Sequence, residues 1–379
     1  MAGIEPYHVM ELMAKAKALE AQGRDIVHME VGEPDFPTPQ PVIDAAQRFI
    51  ATGQVHYTHP LGLPQLREAI AGFYRDRYGV AVEPERIIVT AGASGALLLA
   101  LGVLIDPGDE VLMADPGYPC NRHFVRAFEG RAKLIPVDAS TSYQPTADLV
   151  AAHWSQQARA LLVATPSNPT GTMIDLPQLA ALHQTVRQRG GTLLVDEIYH
   201  GLTYGFDAET ALALGDDLFV INSFSKYFGM TGWRLGWLVA PQAYVRDIEK
   251  LAQNLFISPS APAQHAALAA FAPATRQILE ARREEFRLRR NTLLPGLQAL
   301  GFTVAAEPRG AFYVYADSSR HAADSFALAD RLVSDAGVAA TPGLDFGDCA
   351  PQRHMRFAYT VACERIEEGL QRMQKFLRA

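Results

Sequence analysis

Cysteine is scarce: Cys120, Cys349 and Cys363 are the only three in 379 residues, and neither CxxC nor metal-ligand spacing relates them. That scarcity argues against a disulfide framework and fits a reducing compartment. Eleven histidines form no HxxxH or HExxH pattern, so no dedicated metal site is expected. Basic residues do not dominate either. The formal net charge is −7, which gives no electrostatic reason to expect nucleic acid or an anionic membrane as partner. No uninterrupted apolar run approaches the ~20 residues of a membrane span. The N-terminus carries acidic Glu5 and no basic region ahead of an apolar stretch, so no signal peptide is expected and the expected address is cytoplasmic. Internal repeats and low-complexity tracts are also missing, which excludes a solenoid.

What is present is an ordinary globular balance, 49% hydrophobic and 20% charged, on a chain long enough for two domains. Residues 11–22 read as a short helix and Asp25 to Val31 as a strand. Helical patterns follow at Val42 to Ala51 and Leu66 to Tyr78. From Arg86 onward short apolar runs recur: Ile87–Thr90, Glu110–Ala114, Lys133–Val137, Ala160–Thr165, Thr192–Val195, Leu218–Ile221 and Leu235–Val239. Helical patterns between several of them predict an α/β fold with a mainly parallel sheet covered on both faces. After Ala272-Pro273 the character changes. A charged helix from Thr275 to about Asn291 leads to runs at Phe302–Ala305, Ala311–Tyr315 and Arg353–Tyr359. Helices at 324–336 and at the end complete a smaller α+β unit. The mixed-sign cluster from Arg282 to Arg290 reads as a solvated helix face.

In an open α/β sheet, ligands sit beyond the carboxyl ends of the strands, so polar residues directly after strand-like runs are the ones to collect. After Thr90 comes Gly92-Ala93-Ser94, a small-residue turn opening a helix, whose free amides suit a phosphate. Tyr118 follows the second run, Glu110–Ala114, and has the shape to stack on a flat ring; packing is the plainer reading. Asn168 lies in Pro166-Ser167-Asn168-Pro169-Thr170-Gly171, either a turn or an amide that donates to a phenolic oxygen. Asp196 ends an apolar run, where a buried carboxylate needs a partner; a protonated pyridine nitrogen would serve, and an ordinary cap is the alternative. Tyr199 is placed to share the phenolic oxygen with Asn168. Ser223-Phe224-Ser225-Lys226, with Arg234 eight residues on, combines a Schiff-base amine with hydroxyls and a guanidinium for a phosphate. Each signal is weak alone. Together they describe a site for an aldehyde cofactor that carries a phosphate.

With those residues named, the chain resembles the class I/II aminotransferases, the fold-type I pyridoxal-phosphate enzymes related to aspartate aminotransferase. The similarity runs over essentially the whole length. It covers Gly32-Glu33-Pro34-Asp35-Phe36, Tyr57-Thr58 with Gly62, Asn168-Pro169-Thr170-Gly171, Asp196-Glu197-Ile198-Tyr199, Ser225-Lys226 with Gly232-Trp233-Arg234, Gly310-Ala311-Phe312-Tyr313 and Arg356-Phe357. The resemblance implies a three-layer αβα domain over 40–273 and a discontinuous small domain from 1–39 and 274–379. It implies that Lys226 holds pyridoxal 5′-phosphate as a Schiff base and shuttles the proton at substrate Cα, while Asp196 pairs with the pyridine nitrogen. Asn168 and Tyr199 would donate to the phenolic oxygen, with Tyr118 stacked on the ring. The phosphate would rest on Ala93, Ser94, Ser223, Ser225 and Arg234, and on Tyr57 from a second subunit of a homodimer. Gly32, Asn168 and Arg356 would bind the substrate α-carboxylate. Arg356 stands mid-strand in His354-Met355-Arg356-Phe357-Ala358, where a bidentate carboxylate would answer the cost of a buried charge.

The chain departs from dicarboxylate-specific relatives. The segment Gln253 to Gln264 contains no Lys or Arg, and Gly102 aligns where another branch has a lysine. Asn121 stands where many relatives carry an aromatic residue. A mobile arginine such as Arg122 would still admit glutamate, while Phe36, Phe256 and Ile257 point to a neutral or apolar pocket. Three functions fit this reading. The first is an aminotransferase moving an amino group from a neutral or aromatic L-amino acid to a 2-oxo acid by a ping-pong mechanism. The second is a carbon–sulfur β-lyase on the same scaffold, since fold and cofactor do not fix the reaction. The third, a ligand-sensing domain of a transcription regulator, would want a basic DNA-binding domain ahead of it.

Overall fold

A computed structural model describes residues 8–378, so the reading made at Glu5 lies outside the described residues. Short aliphatic and β-branched runs form the strands. These are β1 (Val27–Met29), β2 (Ile87–Thr90), β3 (Glu110–Asp115), β4 (Arg131–Pro136), β5 (Ala158–Ala164) and β6 (Thr192–Asp196), followed by β7 (Phe219–Ser223), β8 (Gly236–Val239), β9 (Tyr313–Asp317), β10 (Val338–Pro342) and β11 (His354–Ala358). Among the helices, α1 is His8–Ala21, α2 Gln40–Ala51, α3 Pro64–Tyr78 and α4 Gly92–Leu104.

Seven strands form one sheet in the order β2-β8-β7-β6-β5-β3-β4. Strands β3 to β7 pair in parallel. β8 runs antiparallel to both its neighbours. β2 therefore points the same way as β7, and six strands present their carboxyl ends along one edge. Alternate residues feed two cores, as a period of two demands. Ile88, Leu162, Leu194, Ile221 and Leu238 pack with the apolar helix α4 on one face. Ile87, Val89, Leu161, Val163, Leu193, Val195 and Trp237 join the core on the other. Both faces are dry, which explains why these strands read as continuous apolar runs.

The second sheet, β1-β10-β11-β9, joins the early strand to three late ones. β1 lies parallel to β10, and the other two pairings are antiparallel. Two expectations fail here. Phe302–Ala305 makes only an isolated bridge, Thr303 to Asp317, because alanines and the donorless Pro308 follow. β10 was not read from the sequence, since Val338-Ala339-Ala340-Thr341-Pro342 is alanine-rich and ends in proline. The charged helix also outruns its expected end, spanning Pro273–Leu300 through Pro295. Buried Leu293 and Leu297 hold its last turns, and Gly301 closes it at a φ of 96°. The helix expected over 324–336 is α-helical for Ser325–Arg331 and widens into a π turn over Leu332–Ala336. Among the described residues, no helix is long and apolar enough to cross a membrane.

Candidate active site

The shared strand edge opens onto a cavity of about 260 Å³. Its wall collects Ala93 and Ser94 after β2, Tyr118 after β3, Asn168 after β5, and Asp196 and Tyr199 at and after β6. Ser225, Lys226 and Arg234 join them from the β7–β8 connection, with Gly32 and Arg356 from the neighbouring sheet. The strand-end polar residues are thus brought to one place.

Lys226 is the centre of this wall. Its Nζ donates to the Gly32 carbonyl at 2.7 Å. Removal from water pushes the amine down to about 8, helped by the guanidiniums of Arg356 and Arg234 and opposed by Glu33 and Asp196. Asp196 accepts from the Ile198 amide at 3.0 Å. Burial pushes its carboxyl up to about 6, against that hydrogen bond and the nearby lysine. The site therefore holds an amine less basic than usual and a carboxyl less acidic than usual. Tyr199 is buried, and its hydroxyl lies 2.9 Å from that of Tyr313.

The turn into α4 is shaped by close packing. Gly92 adopts a φ of 68°, and a Cβ there would come within 2.8 Å of Arg234 Nη2. Arg234 itself sits in the left-handed region at a φ of 53° and donates to Thr231 O at 3.0 Å. A guanidinium thus lies against the first turn of α4, whose residues Ala93 and Ser94 belong to the cavity wall. Free helix amides beside a guanidinium make a cup for an anion.

Arg356, in the middle of β11, is fully buried. Its Nη1 donates to Asn168 Oδ1 at 2.9 Å and its Nη2 to the Glu30 carbonyl at 2.5 Å. Tyr313 and Phe346 flank the guanidinium, with ring centroids 4.4 and 4.9 Å from its central carbon. A guanidinium can only donate, so Asn168 must present its oxygen here and keep its amide nitrogen as a donor for something else.

Not every expected residue reaches the wall. Ser223 stands one layer behind, its hydroxyl 3.0 Å from that of Ser225 and 3.2 Å from the Leu235 carbonyl. Tyr57 is 80% exposed and lies outside the cavity of its own chain. Arg122 also lies outside; its guanidinium reaches the Asp345 carbonyl at 3.5 Å. Phe36, Phe256 and Ile257 are absent from the wall as well. Phe36 is taken up by Phe286, edge-on at 5.5 Å, and by Arg289, while Ile257 faces solvent. The apolar wall is instead Val9, Met10 and Met13 of α1 with Val31, Leu97, Phe124 and Ile198. Tyr313, quoted for its motif but given no role, proves to touch both Tyr199 and Arg356. Among the described residues, no cluster of His, Cys, Asp and Glu could hold a metal ion.

Comparison with known proteins gives a consistent picture. The family model for aminotransferase class I and II matches residues 24–373. A valine–pyruvate aminotransferase of Mycobacterium tuberculosis is 38% identical over 99% of this chain and 97% of its own length. An aspartate/prephenate aminotransferase of Thermus thermophilus is 36% identical over 99% and 97% respectively. Among solved structures, an aminotransferase from Mycobacterium tuberculosis superposes with a TM-score of 0.96 at 38% identity, covering 100% of this chain and 98% of its own.

Proposed function

The chain belongs to the class I and II aminotransferases and is a transaminase; we propose that its donor is a neutral or aromatic L-amino acid. The amino group goes to a 2-oxo acid by a ping-pong sequence, with pyridoxal 5′-phosphate as cofactor. One observation carries the choice of donor. Among the described residues, the cations on this chain's cavity wall are Lys226, Arg234 and Arg356, and each has a use, so the wall offers none of its own for a distal carboxylate. One side of the wall, formed by Val9, Met10, Met13, Val31, Leu97, Phe124 and Ile198, is apolar. The name of the Mycobacterium relative, valine–pyruvate aminotransferase, points the same way. That the relatives described carry aminotransferase names favours transamination over the lyase reading.

The donor set fits the cofactor. The cradle at Gly92, closed by Arg234, suits a phosphate, while the lowered amine of Lys226 suits an aldehyde. Ala93, Ser94, Ser225 and Arg234 would hold the phosphate, with Ser223 fixing Ser225 from behind. Asp196 would pair with the ring nitrogen, Tyr118 would stack on the ring, and Asn168 Nδ2 and Tyr199 would donate to the phenolic oxygen. When bound, pyridoxal phosphate supplies the electron sink for the bond broken at substrate Cα.

The chain supplies placement and proton transfer. Arg356, with Asn168 and the Gly32 backbone, grips the α-carboxylate and so fixes which Cα bond faces the amine. Lys226 Nζ, made less basic than usual by burial, takes the proton from Cα of the donor and, in the second half-reaction, gives one to Cα of the acceptor. Tyr57, exposed on its own chain, would complete the site of a neighbour in a homodimer, and the protein would work in the cytoplasm.

The test uses loaded protein without acceptor, to which single L-amino acids are added in turn. A visible band that moves to shorter wavelength, with one equivalent of the matching 2-oxo acid, establishes the half-reaction and names the donor. Pyruvate and ammonia from a cysteine conjugate, with the band restored, would establish the lyase instead.

A further inference from the structure

The apolar side of the cavity is not built from the sheet edge. It comes from α1, whose Val9, Met10 and Met13 lie on the wall. This helix is held at its first turn by a residue 337 positions away. The Asp345 carboxylate accepts the His8 amide on one oxygen and the Val9 amide on the other, both at 2.8 Å. An acidic group there also satisfies the positive end of the helix. Asp345 is 3% exposed and sits in a turn that reaches the rest of the site. The next residue, Phe346, flanks Arg356, and its carbonyl accepts from Gly117 at 2.8 Å, one residue before Tyr118. Asp348 and Cys349 amides bond to Asp115 at the end of β3. At its other end, Glu20 of α1 lies 3.0 Å from His28 of β1.

We propose that α1 completes the subsite for the donor side chain, that Met10 and Met13 select an apolar side chain there, and that Asp345 is the positioning residue that seats the helix. The inference rests on the reading of the cavity as a transaminase site for neutral donors. A methyl side chain is too short to draw much from α1; a branched one gains from each further buried carbon. Thioethers suit such a wall, because they adapt to side chains of different shape.

The experiment compares Asp345→Ala, Asp345→Asn and Met13→Ala with the wild-type holoenzyme, using alanine, valine and leucine as donors. Losing the contact of two or three buried carbons raises KM for valine and leucine by about 15- to 60-fold at most in Asp345→Ala and Met13→Ala. For alanine, which lacks those carbons, KM rises less, so the valine-to-alanine ratio of kcat/KM falls in both variants. Asp345→Asn, which keeps one acceptor, falls between. Amide exchange adds a readout apart from turnover: residues 8–13 exchange faster in Asp345→Ala and unchanged in Met13→Ala. An unchanged exchange rate in Asp345→Ala overturns the seating role. Faster exchange with an unchanged valine-to-alanine ratio overturns selection by α1. Wild-type protein that accepts only aspartate or glutamate refutes the underlying reading instead, before any variant is made.

Discussion

Replacing Arg356 by lysine separates carboxylate recognition from everything else the site does. The substitution keeps one positive charge in a buried place but removes the planar fork that reaches Asn168 and the Glu30 carbonyl at once. It also removes a flat group from between Tyr313 and Phe346, 4.4 and 4.9 Å away. A lysine ammonium can still attract a carboxylate but cannot grip it with two parallel bonds. Losing one hydrogen bond between charged groups costs about 1.5–3 kcal/mol, which is about 10- to 150-fold in kcat/KM. The assay is the half-reaction of valine compared with isobutylamine, the same molecule without its carboxylate. Valine should lose that factor in Arg356→Lys, while isobutylamine, already slow, should change by no more than about twofold. An equal loss for both donors would mean that Arg356 shapes the cavity rather than binding substrate, and the assignment would fall. A thermal scan of the variant guards against simple unfolding.

Other expectations can be checked on the same material. Lys226 titrates near 8 rather than in the ordinary lysine range, so cofactor capture by unloaded protein should speed up about tenfold per pH unit below 8 and level off above it; a plateau delayed to pH 10 would contradict the burial argument. Lys226→Ala should turn over at least about a hundredfold more slowly while still holding cofactor reversibly, and wild-type turnover by that variant would sink the mechanism. Glu197 is buried against Thr210 and the Ala211 amide, with its carboxyl pushed up to about 8. Because the unfolded chain releases that proton near its ordinary value of 4.5, folding stability falls as pH rises from about 4.5 to 8; Glu197→Gln should flatten that part of the Tm profile. Gly32→Ala would put a methyl 1.8 Å from the Tyr313 hydroxyl, and the displacement should cost about 1–3 kcal/mol of stability, read from denaturant melts.

The strand-edge half of the site was legible because its chemistry follows local pattern. A run of apolar residues followed by Ser94, Tyr118, Asn168, Asp196 or Lys226 marks where a strand stops, and parallel packing then sends each end to the same edge. Ser223 is the last residue of β7, and its side chain is bonded inward to Ser225 and Leu235. The α1 wall was not legible. Val9, Met10 and Met13 look like any helix core, and the bond that seats the helix joins residues 8 and 9 to 345. Phe36, Phe256 and Ile257 were misread for the same reason, since apolar character alone does not tell which surface a side chain faces.

The two sheets meet at the cavity. All seven strands of one lie between residues 87 and 239, and the other takes β1 and the three strands from residue 313 on. Asn168 follows β5 of the first sheet, while Arg356 belongs to β11 of the second, so their 2.9 Å bond links the two sheets. A charge placed mid-strand needs acceptors. Those that hold Arg356 include an amide oxygen, the Glu30 carbonyl and, at 3.3 Å, the Thr341 hydroxyl. The Glu30 carboxylate, close enough in sequence to have neutralised the guanidinium, turns instead to His28 at 2.7 Å, where it raises that imidazole to about 9. Neutral acceptors thus orient the guanidinium, and the Asp345 carboxylate acts on it electrostatically.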